Sequence, residues 1–97
     1  MPQSPIQTTN VVVSKRQLNI TAATVVKAAP GRLFKAVVIV AGAAGTINDC
    51  TTTGAAAAAN ELAALPAVVG PIELNVAFQN GLTITPGAGQ TVAVYFN

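Results

Sequence analysis

The chain has very few of the side chains that enzymes use for chemistry. Its 97 residues include no histidine, no tryptophan and a single cysteine, and its acidic residues number three. These acids, Asp49, Glu61 and Glu73, stand apart in the sequence, whereas general acid–base catalysis needs titrating groups held within a few ångströms of the reacting atoms. We therefore expect that the protein is not an enzyme.

The sequence also gives little support to a metal or cofactor site. Cys50 has no histidine to act as its base, and one cysteine without histidine is too few ligands for a usual zinc site. Asp49, with its neighbours Asn48 and Thr51, offers oxygen atoms to calcium, but a turn held by Asx hydrogen bonds is the stronger interpretation. We expect no metal, no cofactor and a small buried or half-buried thiol at Cys50.

Charged residues are scarce, at 8% of the chain, where soluble domains average about 25%. A surface with so little charge does not repel neighbouring molecules strongly. We therefore expect that much of it contacts protein, either in a homo-oligomer (a dimer or trimer) or on a larger assembly. The alternative is a monomer with a neutral polar surface.

Neither nucleic acid nor membrane is an expected partner. The net charge is only +2, and the basic residues of the N-terminal third have no aromatic residues interleaved with them. The mean hydropathy is high, at +0.56, but the longest apolar run, 36–44, is far shorter than the ~20 residues of a spanning helix. Residues 1–5, MPQSP, lack the basic start and apolar run of an export signal, and we expect none.

The clearest structural pattern lies at the C-terminal end, in residues 70–96. Apolar and polar residues alternate there in three runs, which is the period of a strand with one buried face. Asn80-Gly81 favours a two-residue hairpin turn with positive φ at both positions, and Pro-Gly-Ala-Gly at 86–89 favours a second turn. Together these features predict a three-stranded antiparallel meander.

Three further strands are predicted upstream of the meander. Residues 18–29 are rich in β-branched side chains and predict one strand, or two short strands about a kink at 22–23. Residues 32–41 predict the strongest strand, apolar on both faces in its second half, as in a central strand covered above and below. Residues 46–52 predict a short strand. In the strand 32–41, strict alternation places Phe34, Ala36, Val38 and Val40 on one face, opposite Leu33, Lys35, Val37 and Ile39.

The segment 54–65 leaves two alternatives. Five consecutive alanines favour a helix that Pro66 would end. A lone helix of ~11 residues is marginal, however, and only Leu62 and Leu65 could anchor it. We expect a loose turn at 55–59 followed by an extended segment at 60–65, with a full helix as the alternative.

These elements predict an all-β protein, an antiparallel β-sandwich (jelly-roll-like or Ig-like) of about seven short strands. Residues 18–97 form the sandwich domain. Residues 1–17 have two prolines and no sustained period, and we expect an extended N-terminal arm, with an unattached tail as the alternative. Seventeen extended residues reach about 50 Å, enough to lie across a neighbouring subunit. The candidate partner-contact residues are Val11, Val12, Val13, Lys15 and Arg16.

Four segments carry a resemblance to small tailed-bacteriophage virion proteins. They are PGRLFK at 30–35, GTINDC at 45–50, NELAALP at 60–66 and NGLTITPGAGQTVAV at 80–94. The similar block starts near Ile20 and covers nearly four fifths of the chain. Proteins of this kind are β-sandwich decoration, cement or head-fibre modules on capsids.

The resemblance implies a capsid decoration or cement protein that binds at capsid subunit junctions and stabilises the shell. Its partner would be the major capsid protein or another virion protein, with Lys15 and Arg16 facing an acidic capsid surface. It would be made in the host cytoplasm and located in the virion. The alternatives are a phage tail, baseplate or fibre-attachment component, and a free carbohydrate- or host-surface-binding module.

Overall fold

The computed structural model describes residues 15–97 of the chain. In that range the backbone forms two four-stranded antiparallel sheets packed face to face, which confirms the predicted all-β sandwich with eight strands in place of about seven. The strands are β1 (Lys15–Ile20), β2 (Thr24–Lys27), β3 (Gly31–Val40), β4 (Gly45–Asn48), β5 (Glu61–Leu65), β6 (Gly70–Phe78), β7 (Leu82–Thr85) and β8 (Thr91–Phe96).

The strand order is that of a jelly roll. Sheet A has the order β1-β8-β3-β6, and sheet B has the order β2-β7-β4-β5. Only β4 and β5 are neighbours both in sequence and in a sheet, and every other connection between these strands crosses from one sheet to the other. An antiparallel double sheet of eight strands with this connectivity is a jelly roll, one of the two sandwich types predicted.

The hydrophobic core lies between the two sheets. Leu33 and Val94 from sheet A face Ile47 and Ile84 from sheet B, and all four are completely buried. The period-2 alternation places one row of apolar side chains of each strand in this layer. Phe78 and Phe96 are buried as well, as the alternation predicts. Apart from Leu33, these core positions follow the local alternation.

The predicted meander over 70–96 is wrong in its pairing, although its three strands are correct. β6 and β8 lie in sheet A, whereas β7 lies in sheet B. β6 pairs with β3, and β8 lies between β1 and β3. Alternation of apolar residues locates a strand, but it does not identify the strand that pairs with it.

The two turns predicted as hairpins are instead connections between the sheets. Neither Asn80 nor Gly81 has the positive φ that the predicted hairpin needs. The carboxylate of Asp49 accepts hydrogen bonds from the backbone N–H groups of Gln79, Asn80 and Gly81, at 2.9, 2.7 and 3.1 Å. These bonds satisfy the turn donors and hold the chain as it leaves sheet A. The segment 86–89 likewise carries the chain from β7 in sheet B to β8 in sheet A.

For two segments the structure decides between the alternative secondary structures that the sequence allowed. Residues 21–23 separate β1 from β2, which confirms two short strands about a kink at 22–23. Short 3-10 turns at Thr53–Ala55 and Ala58–Asn60 precede β5, so the loose turn and the extended segment are confirmed and the full helix is wrong. The strand predicted at 46–52 is also shorter, because β4 ends at Asn48.

β3 confirms the strongest predicted strand, but a β-bulge changes its faces. Its register against β6 and β8 shifts between Leu33 and Lys35, so Leu33 joins Ala36 and Val38 on the core face. Strict alternation placed Leu33 on the opposite face because it does not allow for an extra residue. The predicted cover over both faces is not supplied by residues 15–97, since Ile39 is 51% exposed.

Candidate protein-contact surface

The predicted contact residues fall partly outside the described part of the chain. Val11, Val12 and Val13 lie outside the described residues, together with most of the predicted arm. Lys15 and Arg16 belong to β1, which is an edge strand of sheet A paired with β8, and both side chains are exposed. The last three residues assigned to the arm, 15–17, therefore form the first half of a strand.

Exposed valines form the first apolar surface at one end of sheet A. Val68 and Val69 precede β6 and are 63% and 64% exposed, and Val40, the last residue of β3, is 49% exposed. Val38 pairs with Gly70, so the end of β3 and the loop before β6 lie at the same end of the sheet. We call Val40, Val68 and Val69 the valine end. The opposite end of the sheet holds Lys15, paired with Phe96.

A second apolar surface lies on the outer face of sheet A, which faces away from the core. Val37 of β3 pairs with Ala93 of β8, and Ile39 follows two residues later on the same face. A β-bulge in β1 sets Leu18 and Asn19 together opposite Ala93, with Asn19 in the left-handed region at φ 61°. Three neighbouring strands thus bring Leu18, Ala93 and Ile39 side by side.

These residues form an open groove of about 280 Å³, which we call the sheet A groove. Ala93 is its buried floor, while Leu18 and Ile39, each about half exposed, lie on either side. Asn19, Thr91 and Tyr95 complete the lining. The groove is therefore apolar at its centre, and its lining follows β8 from Thr91 to Tyr95.

Charged side chains border the sheet A groove at its Tyr95 end, on the same face. Arg16 pairs across the sheet with Tyr95, and Lys35 pairs with Glu73 on the edge strand β6. The Lys35 ammonium nitrogen lies 5.2 Å from the centre of the Tyr95 ring, within the range of a cation–π contact. The apolar groove is thus a strip bordered by charge and not a fully apolar sheet face.

A cleft of about 330 Å³ lies on the outer face of sheet B. Asn48 holds its rim: the Asn48 amide donates to the Ala57 carbonyl at 3.0 Å and to Asn60 Oδ1 at 2.8 Å, which fixes the alanine-rich loop over the sheet. Thr46 and Thr85 line the cleft, and the buried hydroxyl of Thr85 has no hydrogen-bond partner among the described residues. The lining consists mostly of small alanine and threonine side chains and has no aromatic ring.

The other residues singled out in the sequence have structural positions. Partial burial raises the pKa of the Asp49 carboxyl, but its three backbone N–H donors together lower it by more, so the pKa lies below its ordinary value of 3.8. These donors are about thirty residues away in sequence, so the local Asx turn expected for Asp49 is wrong. Cys50 is buried, as predicted, and its thiol donates to the Thr52 carbonyl at 3.3 Å.

Residues 15–97 contain no group of three or more His, Cys, Asp or Glu side chains placed to hold a metal ion. In the same range, no helix has the length and hydropathy needed to cross a membrane. No protein-family model, curated protein or solved structure matches the chain. The resemblance to phage virion proteins therefore stays a prediction.

Sequence reasoning missed both apolar surfaces, although each left a signal. The run Val37–Val40 is apolar on both faces, and this indicated a second surface that something must cover. Val68 and Val69 stand in a connection bounded by prolines, where exposed polar residues are the norm. The groove itself could not be predicted, because it needs the bulge at Asn19 and the pairing of β1 with β8.

Proposed function

We propose that the chain is a structural virion protein, a capsid decoration or cement protein that binds at capsid subunit junctions and stabilises the shell. The observation that carries the proposal is the valine end, where three large apolar side chains are between 49% and 64% exposed in a chain with only 8% charged residues. Exposed apolar side chains at one end of a sheet, on a chain with so little charge, favour contact with protein over contact with water.

Two further observations support the proposal. The four sequence segments that resemble virion proteins include 80–81 and 86–89, which lie in two of the connections that carry the chain between the sheets. The jelly roll is a fold of viral capsid proteins, although lectins and cupins also use it, so this likeness supports the proposal by analogy only. A protein that binds the assembled shell alone stabilises that shell by mass action.

In this proposal the valine end lies against apolar surface at the junction of neighbouring capsid subunits. Lys15 and Arg16, exposed on β1 at the opposite end of the sheet, face acidic groups of the capsid or of a neighbouring copy. The partner is the major capsid protein or another virion protein.

The test is sedimentation of the purified protein with capsids that lack it. The double variant Val68→Ser/Val69→Ser removes about 2 kcal/mol of apolar burial from the contact, so we expect binding roughly thirtyfold weaker. The matched control is Thr52→Ser/Thr53→Ser, which changes two exposed loop residues far from the valine end and should bind as the unchanged chain does. Equal binding by the valine variant would refute this contact, and no binding by the unchanged chain would refute the function.

The alternative functions predict different copy numbers in the particle and different oligomeric states of the free protein. Hundreds of copies in each purified particle indicate decoration, whereas a dozen or fewer indicate a tail, baseplate or fibre-attachment component. A monomer whose melting temperature rises with a sugar would indicate a carbohydrate-binding module. Sugar sites favour exposed aromatic rings, but Phe78 and Phe96 are buried and Phe34 and Tyr95 are only partly exposed.

A further inference from the structure

We infer that the sheet A groove binds the N-terminal arm of a second copy of this chain, with the valines at 11–13 lying along β8 between Leu18 and Ile39. This contact joins copies to one another. It does not depend on the proposed function, because it would form with or without a capsid.

The shape and lining of the groove favour a single extended segment. Its floor, Ala93, lies on β8, and its sides come from β1 and β3, the two strands next to β8. Strands are ~4.8 Å apart, so the groove is about two strand spacings wide, which matches one extended chain. Its volume of about 280 Å³ exceeds the ~150 Å³ that holds a benzene ring, so it has room for more than one valine side chain.

The chemistry of the arm matches the groove. Val11, Val12 and Val13 are the only consecutive large apolar residues among the fourteen that precede Lys15. In an extended segment two of the three point the same way, so Val11 and Val13 could enter the groove together. Valine also has a stiff side chain, which loses little rotational freedom on binding.

The arm cannot reach the groove of its own chain. Only Ser14 separates Val13 from Lys15, where β1 begins. The tightest reversal uses two residues, and it would place the valines beside β1, in the plane of the sheet, instead of on its outer face. A second copy does not have this restriction, because fourteen extended residues span about 45 Å.

Direct pairing of two outer faces is less favourable than binding of the arm. Arg16, Lys35 and Glu73 lie on the same face as the groove, and apposing two such faces would take these charges out of water. A single arm covers the apolar strip and leaves the charges at its border in solvent. The second copy therefore contributes its arm and not its sheet.

The test measures the mass of the full-length chain against concentration by sedimentation. We expect reversible association of the unchanged chain, and a dissociation constant at least tenfold higher for an arm variant, Val11→Ser/Val13→Ser, and for a groove variant, Ile39→Asp. Thr52→Asp adds the same charge at an exposed loop residue outside the arm, the groove and the valine end, so this control should associate as the unchanged chain does. Leu18→Asp, at the other side of the groove, should repeat the effect of Ile39→Asp.

Two further measurements separate the arm from other contacts. The arm variant has an intact groove and the groove variant has an intact arm, so an equimolar mixture of the two should form heterodimers. Tyr95 is the only tyrosine of a chain without tryptophan, and it lines the groove. Its fluorescence should therefore change when the unchanged chain is diluted, and should not change for the arm variant.

Three results would overturn the inference. They are an unchanged chain that stays monomeric at all concentrations, an arm variant that associates normally, and a mixture of the two variants that forms no heterodimer. If the arm variant associates normally and the groove variant does not associate, the groove pairs face to face with the groove of a second copy. Association as inferred, without capsid binding, would leave this contact standing and refute the proposed function alone.

Discussion

At the scale of single residues, the carboxylate of Asp49 stabilises a turn that is distant in sequence. Its carboxylate accepts three backbone N–H groups from the connection between β6 and β7. Hydrogen bonds to a charged group contribute about 1.5–3 kcal/mol each, more than neutral ones. One side chain at the end of β4 thereby fixes a turn thirty residues further along.

Replacing Asp49 should destabilise the protein and change its response to acid. Asp49→Asn keeps the size but puts an NH₂ donor against the backbone donors, so we expect a loss of about 2 kcal/mol in the free energy of unfolding at pH 7. The pKa of Asp49 is lowered on folding, so its stabilisation is complete above the unfolded value of 3.8 and is lost as the pH falls through the folded pKa.

Urea unfolding at a series of pH values checks both parts of this prediction. The unchanged chain should lose stability as the pH falls below about 4, and Asp49→Asn should show a flatter profile there. Glu73→Gln is the control, since Glu73 is an exposed carboxylate on β6 and should change the free energy of unfolding by less than ~0.5 kcal/mol. Profiles of equal slope for Asp49→Asn and the unchanged chain would contradict the prediction.

At the scale of elements, the connections between the sheets depend on close backbone contacts. A Cβ atom on Gly87 would collide with the backbone carbonyl oxygens of Ala43 and Ala44, and one on Gly81 would come within 2.6 Å of the Cys50 carbonyl oxygen. Backbone cannot move aside as a flexible side chain can. Glycine is required at these positions by lack of space, without any need for positive φ.

Gly87→Ala should therefore destabilise the protein strongly. The added methyl group forces apart the connections that follow β3 and β7, and we expect a loss of about 3 kcal/mol or more. Gly54→Ala is the matched control, because a Cβ atom there has no neighbour within 4 Å. Thermal unfolding should show a melting temperature at least ~10 °C lower for Gly87→Ala and nearly unchanged for Gly54→Ala. Similar melting temperatures for the two variants would contradict the prediction, because the backbone around Gly87 would then accommodate a Cβ atom at little cost.

The elements also show what the sequence could and could not predict. Alternation of apolar residues and the Gly and Pro positions located nearly every strand, because both are local signals. The partner of each strand is not local: Asn80-Gly81 is the best hairpin dipeptide of the chain, yet Asp49 binds it and the chain crosses to the other sheet. The faces of β3 were misassigned at Leu33 because a bulge leaves no mark in the alternation.

The candidate surfaces were less predictable than the strands. The scarcity of charge indicated contact with protein, but it does not say where. The sheet A groove combines residues from β1, β8 and β3, which come from distant parts of the chain. Only the strand order places Leu18 and Ile39 on either side of Ala93, so no local pattern could have identified them.

At the scale of the whole molecule, the jelly-roll order makes almost every strand pairing non-local. β1 pairs with β8, from residue 15 to residue 96, and β3 lies between β8 and β6. Closing such long loops costs entropy before the contacts form. The fold should therefore assemble slowly for its size.

We expect refolding in the range of milliseconds to seconds, as for other all-β domains of this length, and not in microseconds. Dilution from urea, followed through the fluorescence of Tyr95, measures the rate directly, because Tyr95 lies in β8 between the first and third strands. Complete recovery of the folded signal within ~100 μs would contradict the prediction. The arm variant, studied at low concentration, separates folding from association.

Lys15 and Phe96 are partners in one ladder, so the chain enters and leaves the sandwich at the same end, opposite the valines at 40, 68 and 69. A peptide fused after Asn97 would then extend away from those valines. The fold thus separates the end of the sheet that could carry a fused peptide from the end where apolar side chains are exposed.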